Sequence, residues 1–468
     1  MPLLNTLVST ADAMRAFDRA LNVTQNNVAN ANTPGFVKQR LTLAARPMDL
    51  DAGSIGGVAA GGLNSARDLY AEQAVRRQTV LLGRDQQHVN SLTALQSVFD
   101  ITGDSGVPAA LNNLFDSFSA WAQSASDPIA RQNVLERATD MAQSFQQTAA
   151  SLADVAVDTE RQIQHTVNSI NRIAETLNGY NITALRGKAD PALDANIHAA
   201  LEELSQYAEI TALHQSDGSV TVLLNGQTPL VSADQQFPIR YSMAKPTEPT
   251  PIYDEARPDA RIVASDGVDI TNATTGGKLG ALMDFRNGVL GSYIGDSYQQ
   301  GDLSRMAGEL ATRINGLLVA GGGQPLFTFD ASDPTSIART IAVNPALGPN
   351  DLAASLPGPP VVSNGVPLAL SKLSHPEDAA DKIDGISYTE FYGGMAARGG
   401  RMLNDAKAQA EVQQATVAQA KQLREEQSGV SLDEEALILI QFQRAYEANS
   451  RLITVLDRLT KTVIDMLQ

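Results

Sequence analysis

Asn26-Asn27-Val28-Ala29-Asn30-Ala31-Asn32-Thr33-Pro34-Gly35-Phe36 stands near the start of the chain, and Ser428-Gly429-Val430-Ser431-Leu432-Asp433-Glu434-Glu435-Ala436 stands near its end. Each flanks an amphipathic helical pattern. Before the first stretch, Leu4, Leu7, Ala11, Met14, Phe17, Leu21 and Val28 recur mostly three or four residues apart, the spacing of one helix face. That helix stops in the asparagines, because Asn tolerates left-handed backbone and Pro34 steers Thr33 out of the helical region. Pro34-Gly35 fits the central positions of a type II turn, so Asn32, Pro34 and Gly35 read as a turn motif. After the second stretch, Ser431 and Glu434 have capping-box spacing. Leu439, Phe442, Tyr446, Ile453, Leu456, Val463 and Leu467 then form an a/d-like stripe, and Ile438, Leu452, Leu459 and Met466 a second one beside it.

Long apolar-faced helices at both ends point to a chain built to join an assembly. Leu4, Leu7, Met14, Phe17, Leu21 and Val28, with the first carboxyl-terminal stripe, are the expected assembly interface. With those stripes unpartnered, residues 1 to about 60 and 430–468 are expected to be flexible in an isolated monomer. In particular, Ile453 and Leu456 are expected to pack only against neighbouring copies.

The 468 residues carry a formal net charge of -17. That argues against a nucleic-acid partner, which needs a basic patch. There is no cysteine, hence no disulfide, thiolate nucleophile or Cys-ligated metal. No apolar run reaches the length of about 18 residues needed to span a membrane, so no membrane insertion is expected. No Lys or Arg precedes Arg15 and no signal-peptide pattern follows, so export would use a route without a cleaved signal.

Between the ends, residues 37–43 alternate as a short half-buried strand, and five glycines in 53–62 read as a flexible loop. Residues 68–101 form a long helix. Pro108 opens another, carrying Leu111, Leu114, Phe118 and Trp121, and Asp127 caps a third that meets no Gly or Pro until after Asn178. The texture turns to β from about residue 208, with Asn225-Gly226 as a hairpin signal and prolines gathered over 238–258. Helix resumes over 277–319, residues 324–374 read as surface-hugging loops, and a polar helix covers 388–427. The expected fold is mainly α with a small β insertion: an assembly-dependent terminal coiled coil, an elongated central bundle and an inserted β domain. The domains are 1–62 and 429–468 for the terminal part, 63–207 and 276–428 for the bundle, and 208–275 for the β insertion.

Catalytic patterns are missing. His88, His165, His198, His214 and His375 stand singly, without metal-ligand spacing. Thr275-Gly276-Gly277-Lys278-Leu279 lacks the hydroxyl a phosphate loop places after its lysine, and reads as a helix start. Asp433-Glu434-Glu435 is explained by the helix macrodipole. No catalytic, cofactor or metal site is expected, and the chain is not read as an enzyme.

The first stretch resembles the amino-terminal signature of the bacterial flagellar rod, hook and hook-associated proteins, with Phe36 where that family often has Tyr. Gly429 to Ala436, with Gln441-Phe442-Gln443-Arg444-Ala445-Tyr446-Glu447-Ala448-Asn449, is similar to the group's carboxyl-terminal pattern. Ser126-Asp127-Pro128-Ile129-Ala130-Arg131-Gln132, Gly218-Ser219-Val220-Thr221-Val222 and Gly276-Gly277-Lys278-Leu279-Gly280-Ala281-Leu282-Met283-Asp284-Phe285-Arg286 resemble the hook-associated members at the hook–filament junction. The insertion is short for that family, so an additional outer domain is not carried over. The resemblance implies a structural part, outside the cell, in a ring of copies with hook protein below and hook-associated protein 3 above. It further implies flagellar type III export and a cytoplasmic chaperone on the carboxyl-terminal helix. The alternatives are a hook or distal-rod protein, with more β structure between the same ends, and an adhesin carried on flagellar-type ends.

Overall fold

The structure, a computed structural model, describes residues 2–49, 54–99, 105–187, 190–246 and 249–466. Helix α1 (Pro2–Ala29) leads into a hairpin of β1 (Gln39–Asp49) and β2 (Ser54–Ser65), followed by α2 (Leu69–Gln96) and α3 (Gly106–Gln123). Helix α4 (Pro128–Leu185) comes next, then α5 (Pro191–Tyr207). The β region holds β3 (Ile210–His214), β4 (Val220–Leu224), β5 (Thr228–Ser232), β6 (Gln235–Gln236), β7 (Arg240–Ala244) and β8 (Asp259–Val263). After it come α6 (Gly277–Asp284), α7 (Leu290–Ile294) and α8 (Asp302–Ala320), then the short elements β9 (Phe327–Thr328), α9 (Ile337–Thr340), β10 (Ala342–Val343) and α10 (Gly365–Ser371). Helices α11 (Tyr388–Ser428) and α12 (Leu432–Asp465) complete the described chain. The architecture is mainly α with a small β part, as the pattern predicts.

Helix α4 is the spine. Asp127 accepts a hydrogen bond from the Ile129 amide, and Pro128 occupies the first turn, where its missing N–H goes unnoticed. The 58 residues make a rod about 87 Å long. Gly179 does not end it. A lone helical glycine costs only about 1 kcal/mol, and the next turn is anchored by Asn181, which donates to the carbonyls of Val220 and Ala233 and accepts from the Val220 amide.

Two hydrophobic cores are strung along this rod. Its first half buries Val134, Met141, Phe145 and Leu152 among α3, α7, α8, α10 and α11, with Trp121 fully buried and donating to the Ala125 carbonyl. Its second half buries Ile163, Ile170, Ile173 and Leu177 against α5, α6 and the strands. The four-stranded sheet runs β3-β4-β5-β6, and β7-β8 form a separate pair. Along β4 the inward residues Val220, Val222 and Leu224 are buried and the others half-buried, so the sheet seals the helices. The strands of the β region therefore share the second core with the far half of α4, α5 and α6.

Three local expectations change. From Ser54 onward the glycine-rich segment is strand β2, not a flexible loop, and Gly53 lies outside the described residues: a Cβ on Gly57 would lie 2.4 Å from Ser9 Oγ, and one on Gly61 3.1 Å from the Thr42 carbonyl. Those glycines permit close approach. The 277–319 helix is broken after α7 by Gly295 and Gly301, at φ 89° and 82°, which let the chain turn back into α8. Residues 324–374 do not hug the surface only: Leu326, Phe327, Ile341, Leu352, Val366 and Leu370 plug the first core.

Candidate functional site: the terminal helices and their junction

α1 and α12 pair antiparallel within one chain. Asn27 meets Glu435, and Phe17 meets Phe442 with ring centroids 6.2 Å apart. By helical rise, α1 is about 42 Å long and α12 about 51 Å. The last one or two turns of α12 therefore run past the start of α1. The side of α1 that is buried is made of small residues: Thr10, Ala13, Ala16, Ala20, Thr24 and Asn27. They let the β1–β2 hairpin and α12 come close, with Ser9 Oγ donating to the Gly56 carbonyl at 2.5 Å and Arg46 paired to Asp12 at 2.7 Å.

The two signature stretches meet where this pair joins the body. Residues Thr33 to Phe36 close a turn, the Phe36 amide donating to the Thr33 carbonyl at 3.1 Å, with Gly35 at φ 74°. A Cβ on Gly35 would lie 2.4 Å from the Ala195 carbonyl, so glycine is required by both conformation and space. The Lys38 ammonium, almost fully buried, pairs with Glu434 at 2.9 Å and with buried Glu435 at 3.0 Å. Asn27 donates to Glu435 and to the Gln39 carbonyl and accepts from the Gln39 amide. Backbone bonds tie the same point: Lys38 N–H to the Ser428 carbonyl, and Ala66 N–H to the Lys38 carbonyl. Burial alone would lower the Lys38 pKa, but its bonds to the two glutamates outweigh burial and hold it raised.

A second cluster braces the turn motif. Arg67 donates to the Gly35 carbonyl at 2.7 Å and pairs with Glu72 and Asp194, while Arg424 pairs with Glu202 at 2.6 Å and Glu72 at 3.3 Å. Burial opposes the charge on Arg424, yet its bonds to Glu202 and Glu72 keep its pKa raised. Beside this cluster His198 is buried and stacks on His214, ring centroids 4.8 Å apart. Burial first, and then Arg67, His214, Arg76 and Arg424, push the His198 pKa down to about 2. Helices α1, α2, α5, α11 and α12 thus converge on one polar knot around the two signatures.

Of the expected interface residues, Leu7, Met14, Phe17, Leu21, Leu439, Phe442, Tyr446 and Ile453 are half-buried, and Val28 and Val463 exposed. Asn32 and Pro34 lie exposed at the turn, Leu467 lies outside the described residues, and of Leu4 only the backbone, in α1, is described. The structure corrects Leu456. It is buried at 8% exposure inside the subunit, because its stripe is the one turned toward α1. Of the second stripe, Ile438 is half-buried, while Leu452, Leu459 and Met466 face outward together with Val455, at 47–80% exposure. Residue spacing missed Lys38, Asn27, Arg67 and Arg424 altogether. The acidic run at 433–435 was the available signal, but two of its members hold a buried lysine as well as favouring a helix N-terminus. The Ser431 side chain does accept from the Glu434 amide, while the Glu434 carboxylate reaches Lys38. Among the described residues no group of three or more His, Cys, Asp or Glu could hold a metal ion, and no helix is long and apolar enough to cross a membrane.

The family profile "Flagellar hook-associated protein FlgK helical domain" matches residues 92–325, half of the chain. The chain belongs to the flagellar hook-associated protein family. Profiles for the carboxyl-terminal part of the flagellar basal body rod FlgEFG protein and for the flagella basal body rod protein match residues 421–466 and 4–36, the two signature ends of this family member. Flagellar hook-associated protein 1 of Bacillus subtilis is 25% identical over 97% of this chain and 96% of its own length. The Salmonella typhimurium protein of the same name is 27% identical over 61% of this chain, and the match spans about half, 52%, of that relative. The flagellar hook junction protein FlgK from Burkholderia pseudomallei shares the fold, with a TM-score of 0.64, 15% identity and coverage of 77% of this chain and all of that one. The chain is a structural protein of the bacterial flagellum that associates with other flagellar components.

Proposed function

We propose that this chain is a subunit of the hook–filament junction, added to a ring of copies through the outward face of α12. Hook protein lies on one side and hook-associated protein 3 on the other. It acts by structure and not by catalysis. The outward stripe carries this reading: Leu452, Val455, Leu459 and Met466 recur three, four and seven residues apart and are 47–80% exposed. Each such side chain stabilises an interface by roughly 1.5–3 kcal/mol when buried, so a handful per subunit suffices to favour assembly. Before assembly the same stripe is an aggregation hazard. A cytoplasmic chaperone on α12 and type III export without a cleaved signal, both implied by the family resemblance, answer that hazard. Outside the cell the stripe meets the terminal helices of neighbouring copies.

The polar knot has a matching task. It fixes the terminal pair on the body at both signatures, so that every copy presents its stripe at the same angle. The ends shared with rod proteins leave a rod or hook assignment as the competing reading, but the match over 92–325 favours the hook-associated one. The test is a strain carrying Leu452→Asp with Leu459→Asp. The purified variant is expected to melt like the parent, while cells shed unattached flagellin and form few filaments. Normal filaments would contradict the proposal.

A further inference from the structure

β3 is an edge strand, hydrogen-bonded among the described residues to β4 alone. The Asn225 amide donates to the Glu209 carbonyl and the Gln215 amide to the Ser219 carbonyl, at 2.8 and 2.9 Å. Antiparallel pairing alternates, so Thr211 and Leu213 also bond toward β4. The N–H and C=O groups of Ile210, Ala212 and His214 point to the open edge. The strand carries no proline, no lysine and no bulge against β4 to block edge pairing.

Across that edge stands one face of α2. A cleft of about 570 Å³ separates helix from strand, with Leu69, Val80, Leu81 and Leu213 among its apolar walls. A helix facing a free strand edge across a cleft can take an extended peptide as one more strand. Backbone bonds then supply affinity and the walls select side chains.

The charge of the cleft selects further. Arg76 and Arg77 line it, opposed by Glu209, on a chain whose net charge is -17. Arg76 Nη1 is buried and has no hydrogen-bond partner among the described residues. Burial lowers its pKa despite nearby Glu72. A guanidinium that lines the cleft and lacks a fixed acceptor favours a carboxylate-bearing ligand there. We infer that this cleft binds an extended, carboxylate-bearing segment of another protein, added as a strand to β3 with its carboxylate on Arg76.

The probe is a fluorescein-labelled peptide of four Glu-Val repeats, titrated against the full chain by fluorescence polarisation. It is expected to bind saturably below about 1 mM. The Lys-Val counterpart, and a Glu-Val peptide N-methylated at alternate residues, are each expected to bind at least about tenfold more weakly, the first for charge and the second for the lost backbone bonds. Arg76→Gln should weaken the Glu-Val peptide about tenfold. Ala212→Pro, which removes an outward N–H and spares the ladder to β4, should do the same. If Ala212→Pro melts early, the N-methylated peptide decides, since it needs no variant. Equal binding of the Glu-Val, Lys-Val and N-methylated peptides, or no saturable binding at all, overturns the proposal. Self-association of the chain that Arg76→Gln abolishes would assign the cleft to a second copy, and would overturn it too.

Discussion

Helices α8 and α12 carry the same kind of apolar stripe and meet different fates. On α8, Leu303, Met306, Leu310, Ile314 and Leu318 are all essentially inaccessible. On α12, Leu456 is the sole apolar side chain buried among the described residues, and Leu437, Leu452, Val455, Leu459 and Met466 stand largely in solvent. Periodicity names a face and says nothing of how many neighbours the chain brings to it. α8 lies in the first core among α4, α7, α10 and α11, whereas α12 has α1. On the proposed reading, the difference marks where the folded subunit stops and the assembly begins.

The largest expected effect separates the two helices directly. Leu310→Ala opens a cavity in a closed core and should lower the stability seen in urea denaturation by about 2–5 kcal/mol. Leu459→Ala should stay within about 0.5 kcal/mol. Comparable losses would erase the contrast.

The knot is the next place to press. Glu435→Ala leaves the buried Lys38 with one exposed partner and should destabilise the terminal pair by about 2–3 kcal/mol, read from protection of α1 amides in hydrogen exchange. Lys38→Met combined with Glu435→Leu should recover much of that loss, because a buried apolar pair has no desolvation to offset. If the double change is as harmful as the sum of both single ones, the pair is not coupled.

Acid should strike the body beside the knot. His198 titrates near 6.5 when unfolded and is held down at about 2 when folded. Stability is therefore fully present above the unfolded value and falls as pH drops below it. The loss between pH 7 and pH 5 should be about 2 kcal/mol. Arg67, Arg76 and Arg424 are the cations that disfavour its protonation, with His214 stacked on it and Asp194 at 3.7 Å opposing them. His198→Phe should flatten the slope in a urea series across pH, and an unchanged slope would remove His198 from the account. Gly35→Ala adds a Cβ only 2.4 Å from the Ala195 carbonyl to the strain of a positive φ, so its loss in urea denaturation should exceed the roughly 1–2 kcal/mol of the φ alone.

Long helices were legible because their periodicity and stops are local. Asp127-Pro128 opens α4 and Ser431 caps α12 by side-chain rules that need no tertiary information. The orientation of the two α12 stripes was not legible. Ile453 and Leu459 look alike until Asn27–Glu435 and Phe17–Phe442 set which side meets α1. The knot was hidden for a similar reason. Lys38 and Glu434 are 396 residues apart, and Lys38 alternates with Val37 as if it faced solvent. The glycines of β2 misled because flexibility and close approach use the same residue.

Because the chain lacks cysteine, single cysteines report position without interference. The central claim is that the inner stripe of α12 is satisfied by α1 of its own subunit and the outer stripe by other copies. Maleimide labelling of Leu456→Cys and Leu459→Cys, in verified monomer and in isolated hook–basal bodies, tests it most directly. The account predicts slow labelling of position 456 in both states, and fast labelling of position 459 in the monomer that becomes slow on assembly. Equal, fast labelling of both positions in the monomer, or a position 459 that stays open after assembly, would contradict it.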